Sequence, residues 1–200
     1  DPSDSMSSPD TNAAKAAGTE FVDSLEGVSP SSRVGVNTFA RDSESALNTP
    51  NLGLTEVGTG AADIKAKLDT IKRTSPGIGN NRSKTSYEAA FTAVNECGSE
   101  DGIVVFITDG VNTTSSTGGS GLLGRSLNSA LTKGVDYDHP YVDQANALKA
   151  NGNRIIFVGV GDAISGYNPS DTVVDPYTFV SGSDAVGNED YFGLADFSQL

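Results

Sequence analysis

The chain has 200 residues, 26 of them acidic and 13 basic, for a formal charge of -13. That balance argues against a nucleic-acid surface, which needs clustered Lys and Arg, and equally against anionic membranes. One Cys precludes an intrachain disulfide, one His leaves too few ligands for a zinc site of the His/Cys type, and no apolar run is long enough to span a bilayer.

In chain order, Asp1-Pro2-Ser3-Asp4-Ser5-Met6 comes first. Read as Asp-x-Ser-x-Ser, it sets one carboxylate and two hydroxyls on alternate residues of a tight turn. Three oxygens can then face one small volume, as hard cations such as Mg²⁺ prefer. Ser8-Pro9-Asp10 signals a helix start with Ser8 as N-cap and Pro at the first helical position. The helix is expected to reach about Leu25, with Ala14, Ala17, Phe21 and Leu25 on its apolar face and Gly27 as its stop. A strand is expected over Arg33–Ala40, anchored by Val34, Val36 and Phe39. Leu47–Val57 reads as an irregular or short edge strand, because Pro50 and Gly53 interrupt it. Ile64, Leu68 and Ile71 recur at helical spacing, and a Gly/Asn loop at 77–81 leads to a further helix with Tyr87, Ala90, Phe91 and Val94 on one face.

Ile103–Thr108 is nearly all β-branched or aromatic, as for a strand buried on both faces. Arg154–Gly161 has the same character, and a helix carrying Val142, Ala145 and Leu148 stands between them, ending at Asn151-Gly152. Strands alternating with helices imply an α/β fold, a doubly wound and mostly parallel central sheet with helices on both faces. Cys97, behind Val94-Asn95-Glu96, reads as a small core or helix-end residue. Two stretches lack a clear pattern: a long insertion at about 111–140 and a second loop at about 162–175, with a short helical turn over Pro176–Val180. Both follow the carboxyl ends of strands, and loops of this length are usually functional or disordered. Thr113–Gly121 is almost wholly Thr, Ser and Gly, and Leu122, Leu123, Leu127 and Leu131 follow it, which favours a partner-recognition insertion. His139 lies there beside Pro140 and reads as solvated. The sequons at 81–83 and 112–114 matter only in a host that glycosylates them.

Two later pieces can complete the opening turn: Thr85, in Arg82-Ser83-Lys84-Thr85-Ser86-Tyr87, and Asp109, which ends Ile103–Thr108 and precedes Gly110. Each has an ordinary structural reading. Ser3 and Ser5 can satisfy donors of a turn, Thr85 can cap the next helix, and Asp109-Gly110 can be a strand-end turn.

Together, in this order, the three pieces resemble the von Willebrand factor type A domain, whose metal-ion-dependent adhesion site reads Asp-x-Ser-x-Ser, then Thr, then Asp. Ala90 and Phe91 stand five and six residues after Thr85, where that family has its Ala/Gly-Leu/Ile pair. Asp4 departs from the family's usual Gly, though Asp is among the residues that visit positive φ. The resemblance implies one such domain over residues 1–200. Asp1 would then cap a central strand of about six apolar residues lying ahead of it. The chain would be an excerpt that also stops at the start of a last helix, after a final strand near Tyr191.

The resemblance further implies a metal site of Asp1, Ser3, Ser5, Thr85 and Asp109. Ser3, Ser5 and Thr85 would touch the ion or trade places with water, and Asp1 and Asp109 would act largely through water. The expected ion is Mg²⁺, with Ca²⁺ or Mn²⁺ as alternatives. The expected function is adhesion: an acidic side chain of a protein ligand completes the ion's coordination. The low-Cys, acidic, Ser/Thr/Asn/Gly-rich character resembles such domains of bacterial surface and pilus-tip proteins, which implies an extracellular or cell-surface location. The alternative is an interaction module inside an intracellular or structural assembly. Enzymatic activity is not expected, since no base other than the two acids is at hand and no Gly-x-Ser-x-Gly stretch occurs.

Overall fold

The computed structural model describes residues 6–39, 52–72, 86–98, 100–109, 140–160, 190–194, 196 and 199–200. The loops at 77–81, 111–139 and 162–175, the turn at 176–180, His139, both sequons, the 47–51 part of the edge strand and the side chain of Val142 lie outside them.

The first helix, α1, spans Ser8–Val28. Its cap is Ser7 rather than Ser8, one residue earlier than the Pro signal indicates. The Ser7 side chain accepts from Asp10 N at 3.3 Å, and Asp10 Oδ2 accepts from Ser7 N at 2.8 Å, a reciprocal capping box. The helix continues through Gly27, which carries no positive φ and so does not act as a stop. Its buried line is also rotated from the expected one: Val22 is buried, whereas Phe21 is half exposed. Val22 wins because α1 packs against α2 (Val57–Thr70), and there Val22 and Leu25 meet Val57, Ala61, Ile64 and Leu68. Across the same contact Lys15 Nζ donates to Asp69 O at 2.9 Å, at the carboxyl end of α2. Lys65 pairs with Asp23 and Glu26, and the hydrogen bond to Asp23 is the main cause of its raised pKa.

Strands β1 (Arg33–Val36) and β2 (Leu52–Glu56) pair antiparallel, with a register shift between Val34 and Val36. Of the edge strand expected over Leu47–Val57, the described part, Leu52–Glu56, is present. α3 spans Tyr87–Glu96 and buries Tyr87, Ala90 and Phe91 as its periodicity requires, while Cys97 forms its C-cap. β3 (Ile103–Thr108), β4 (Arg154–Val160) and β5 (Tyr191–Leu194) form a parallel sheet in that order. Crossover helix α4 (Pro140–Ala150) buries Ala145 and Leu148, and the chain then turns at Gly152 with φ +78°. After β5, Gln199 N donates to Asp196 O, closing a single turn where the start of a last helix was expected.

Helices cover both faces of the parallel sheet. On one face Val104, Phe106, Ile155 and Phe157 pack with Tyr87, Phe91, Tyr141, Ala145 and Leu148 of α3 and α4. On the other, Ile107, Ile156, Val158, Val160 and Leu194 pack with Met6, Ala13 and Ala14 at the start of α1. This is the α/β architecture read from the alternation of elements, with one difference in β3. Ile103 and Val105 are 66% and 47% exposed, so this half of the strand is buried on one face only. The reason is geometric: α1 covers the second face near Ile107, and β3 pairs only with β4 among the described residues.

Candidate metal centre

Of the five residues read as metal ligands, the described structure contains Asp109; Asp1, Ser3, Ser5 and Thr85 lie outside it. Asp109 directly follows β3, half-buried, while Thr108 before it is fully buried. A hydrophobic strand thus delivers one carboxylate to the carboxyl edge of a parallel sheet. In open α/β sheets that edge is where ligands bind.

The neighbours of the other pieces lead to the same edge. Met6, next after Ser5, is 3% exposed and packs in one cluster with Val158, Val160 and Ile107, two residues short of Asp109. Ser86, next after Thr85, is fully buried and caps α3: its side-chain oxygen accepts from Ala89 N at 3.2 Å. Tyr87, one residue further, sets its ring edge-on to Phe106 with centroids 5.0 Å apart. Phe106 stands three residues before Asp109, so packing on both faces of the sheet converges on the end of β3. The capping role read for Thr85 belongs instead to Ser86.

One charged residue near these pieces escaped the sequence reading. Glu88, in the first turn of α3, is only 4% exposed. An acid there is favoured by the partial positive charge of the helix start. Its burial has no periodic signal, because Ser86 through Phe91 are buried all round the helix rather than along one stripe. Its position, three residues past Thr85, is the only hint that the sequence offers. Among the described residues no three His, Cys, Asp or Glu side chains cluster as a metal site. Three of the five residues read as ligands carry hydroxyls rather than carboxylates.

The chemistry of this donor set is specific. The expected set of two carboxylates and three hydroxyls would offer only hard oxygen donors, which suit a divalent cation in octahedral coordination. The set fits a hard ion better than a soft one, because neither Cys97 nor His139 belongs to it.

Comparison with known proteins bears on this arrangement. A family model described as the von Willebrand factor type A domain matches residues 1–112. No curated protein matches the chain. Among solved structures, proximal thread matrix protein 1 from the mussel byssus aligns over 99% of this chain with a TM-score of 0.62 at 18% identity, in its second crystal form. The same protein with a zinc-occupied metal-ion-dependent adhesion motif aligns over 99%, with a TM-score of 0.60 at 19% identity. The chain spans about two fifths of that protein's length, 42% in both structures.

Proposed function

The chain belongs to the von Willebrand factor type A domain family, and on that premise we propose that it is a metal-ion-dependent adhesion module that binds an acidic group of a protein ligand. The observation that carries this reading is the approach of three chain segments to one sheet edge: Asp109 at the end of β3, Met6 beside Ile107, and Tyr87 against Phe106. Each segment is continuous with one part of the ligand set Asp1, Ser3, Ser5, Thr85 and Asp109.

A divalent cation held there supplies a Lewis-acidic position that a carboxylate from outside can complete. The chain's own residues divide the remaining work. Ser3, Ser5 and Thr85 present neutral oxygens, so the first shell does not repel an incoming anion. Asp1 and Asp109 offset the ion's charge from further away, through water. Without a cation, a chain of formal charge -13 repels an acidic partner; with one, it has a local cationic point. The expected ion is Mg²⁺, with Ca²⁺ or Mn²⁺ as alternatives. Support for a divalent ion comes from the zinc-occupied motif of the byssal protein. The module is proposed to act outside the cell, on a bacterial wall or pilus, and to carry out no catalysis.

A second reading is favoured by one observation: the similar solved structures come from a thread matrix protein. On that reading the same site serves a structural assembly rather than adhesion to a surface. Divalent-dependent self-association in sedimentation experiments would select it.

The test of the metal itself needs no ligand. Thermal unfolding of the chain in EDTA and in saturating Mg²⁺ or Mn²⁺ should differ by several degrees. Binding at about 100 times Kd stabilises by roughly 2.7 kcal/mol, and a domain of this size shifts about 2–4 °C per kcal/mol. Superimposable melts, with no heat of binding in calorimetry, would overturn the proposal.

A further inference from the structure

The two residues that follow Ser5 are held in different ways. Met6 is 3% exposed and packs with Val158 and Val160 of β4. Ser7 is exposed, yet both of its backbone polar groups and its hydroxyl oxygen are engaged. Its N–H donates to Asp10 Oδ2 at 2.8 Å, and its hydroxyl oxygen accepts from Asp10 N at 3.3 Å. Its carbonyl accepts from Thr11 N at 3.0 Å and from Thr11 Oγ1 at 3.1 Å. Thr11 is itself buried, and Ala13 and Ala14 beyond it pack in the same cluster as Met6. An apolar anchor and a polar one thus fix consecutive residues.

The polar anchor does more than start a helix. A Ser cap alone satisfies an orphan donor of the helix it opens. The return bond to Asp10 acts instead on the N–H of Ser7, which belongs to the peptide joining Met6 to Ser7 and stands ahead of α1. We infer that Asp10 is a positioning residue of the metal centre: by fixing the Met6–Ser7 peptide, it sets the adjoining turn of Ser3 and Ser5 in order before the cation arrives. The inference rests on the proposed metal site and adds to it a residue outside the five read as ligands. Hydroxyl donors need this help most. A neutral oxygen attracts a cation less than a carboxylate does, so ordering a loose turn during binding would consume much of the gain. Supporting bonds of this kind are a usual requirement of metal sites.

The test compares three variants by calorimetric titration with Mn²⁺ and by thermal unfolding in EDTA. Asp10→Ala should weaken Mn²⁺ binding on the order of tenfold and lower the Tm in EDTA by about 2–4 °C. Ile64→Val is the control for stability alone: Ile64 is fully buried, in a cluster that shares no residue with that of Met6. It should lower Tm by a similar amount and leave the affinity unchanged. Asp10→Asn keeps an oxygen that can accept from Ser7 N, and should bind within about threefold of the wild type. If the wild type binds Mn²⁺ and Asp10→Ala binds it equally well, the inference is overturned. An equal loss in Asp10→Asn would also overturn it, by making the charge of Asp10 the cause rather than its hydrogen bond. So would an equal loss in Ile64→Val, which would reduce the effect to general stability. A wild-type chain that binds no Mn²⁺ would instead overturn the metal site on which the inference rests.

Discussion

Asp109→Ala should weaken divalent-ion binding on the order of 100-fold, the loss typical of removing a group that acts on a metal through a bound molecule or partner. Calorimetric titration with Mn²⁺ checks it. The fold should not suffer, because the side chain sits half-exposed beyond the last residue of β3 rather than in either core cluster. In EDTA the variant should melt at or slightly above the wild-type temperature, since in the proposed site the Asp109 carboxylate would face that of Asp1 with no cation between them and feel like-charge repulsion. In saturating Mn²⁺ the order should reverse, because only the wild type gains from binding. Asp109→Asn separates charge from shape: it keeps the hydrogen-bonding outline and should lose nearly as much affinity if charge balance is the role. Affinity unchanged by either substitution would remove Asp109 from the site.

The second large effect lies in the core that supports this edge. Phe106 is 4% exposed and meets four rings: Phe39, Tyr87, Phe91 and Phe157, at centroid separations of 4.9, 5.0, 5.0 and 5.3 Å. It links the segment after β1, the start of α3 and the neighbouring strand β4 in one contact set. Truncation loses the transfer energy of the ring and leaves a cavity that four rigid neighbours cannot collapse to fill. Phe106→Ala should cost about 3–5 kcal/mol, a large share of the roughly 5–15 kcal/mol that domains typically have. Denaturant unfolding monitored by circular dichroism reads the loss directly. Phe106→Leu, which refills part of the volume, should cost less than half as much. A loss under about 1 kcal/mol for the alanine variant would mean that the aromatic cluster does not hold the sheet end in place. Metal affinity of Phe106→Leu should fall with its stability if the cluster positions the site.

How much of this was legible beforehand depends on the kind of signal. Strands β3 and β4 were readable because runs such as Ile103–Thr108 and Arg154–Val160 combine β-branched and aromatic residues with clear limits. Helix α3 was readable because Tyr87, Ala90 and Phe91 repeat at helical spacing and all are buried. Local chemistry misled at α1. Pro9 marks the first turn but not its register, and Ser7 won the cap because Asp10 could answer it reciprocally. Phe21 was placed inside by its helical spacing with Ala14, Ala17 and Leu25, yet the approach of α2 set the buried line at Val22. No local pattern could have shown this, since the partner lies some forty residues away. The exposure of Ile103 and Val105 belongs to the same class, being decided by which strand stands beside β3 rather than by its composition. The place of Asp109 after an apolar strand was legible, whereas the burial of Glu88 was not, because charge normally signals an exposed helix face.

The central claim is that oxygens of Asp1, Ser3, Ser5, Thr85 and Asp109 surround one divalent ion. A crystal of this chain grown with Mn²⁺ and measured at the manganese absorption edge tests it most directly. The account predicts one strong anomalous peak beyond the end of β3, with the three hydroxyl oxygens at about 2.0–2.3 Å and the two carboxylates reaching it directly or through water. A peak elsewhere on the acidic surface, or none while these side chains stand apart, would contradict it.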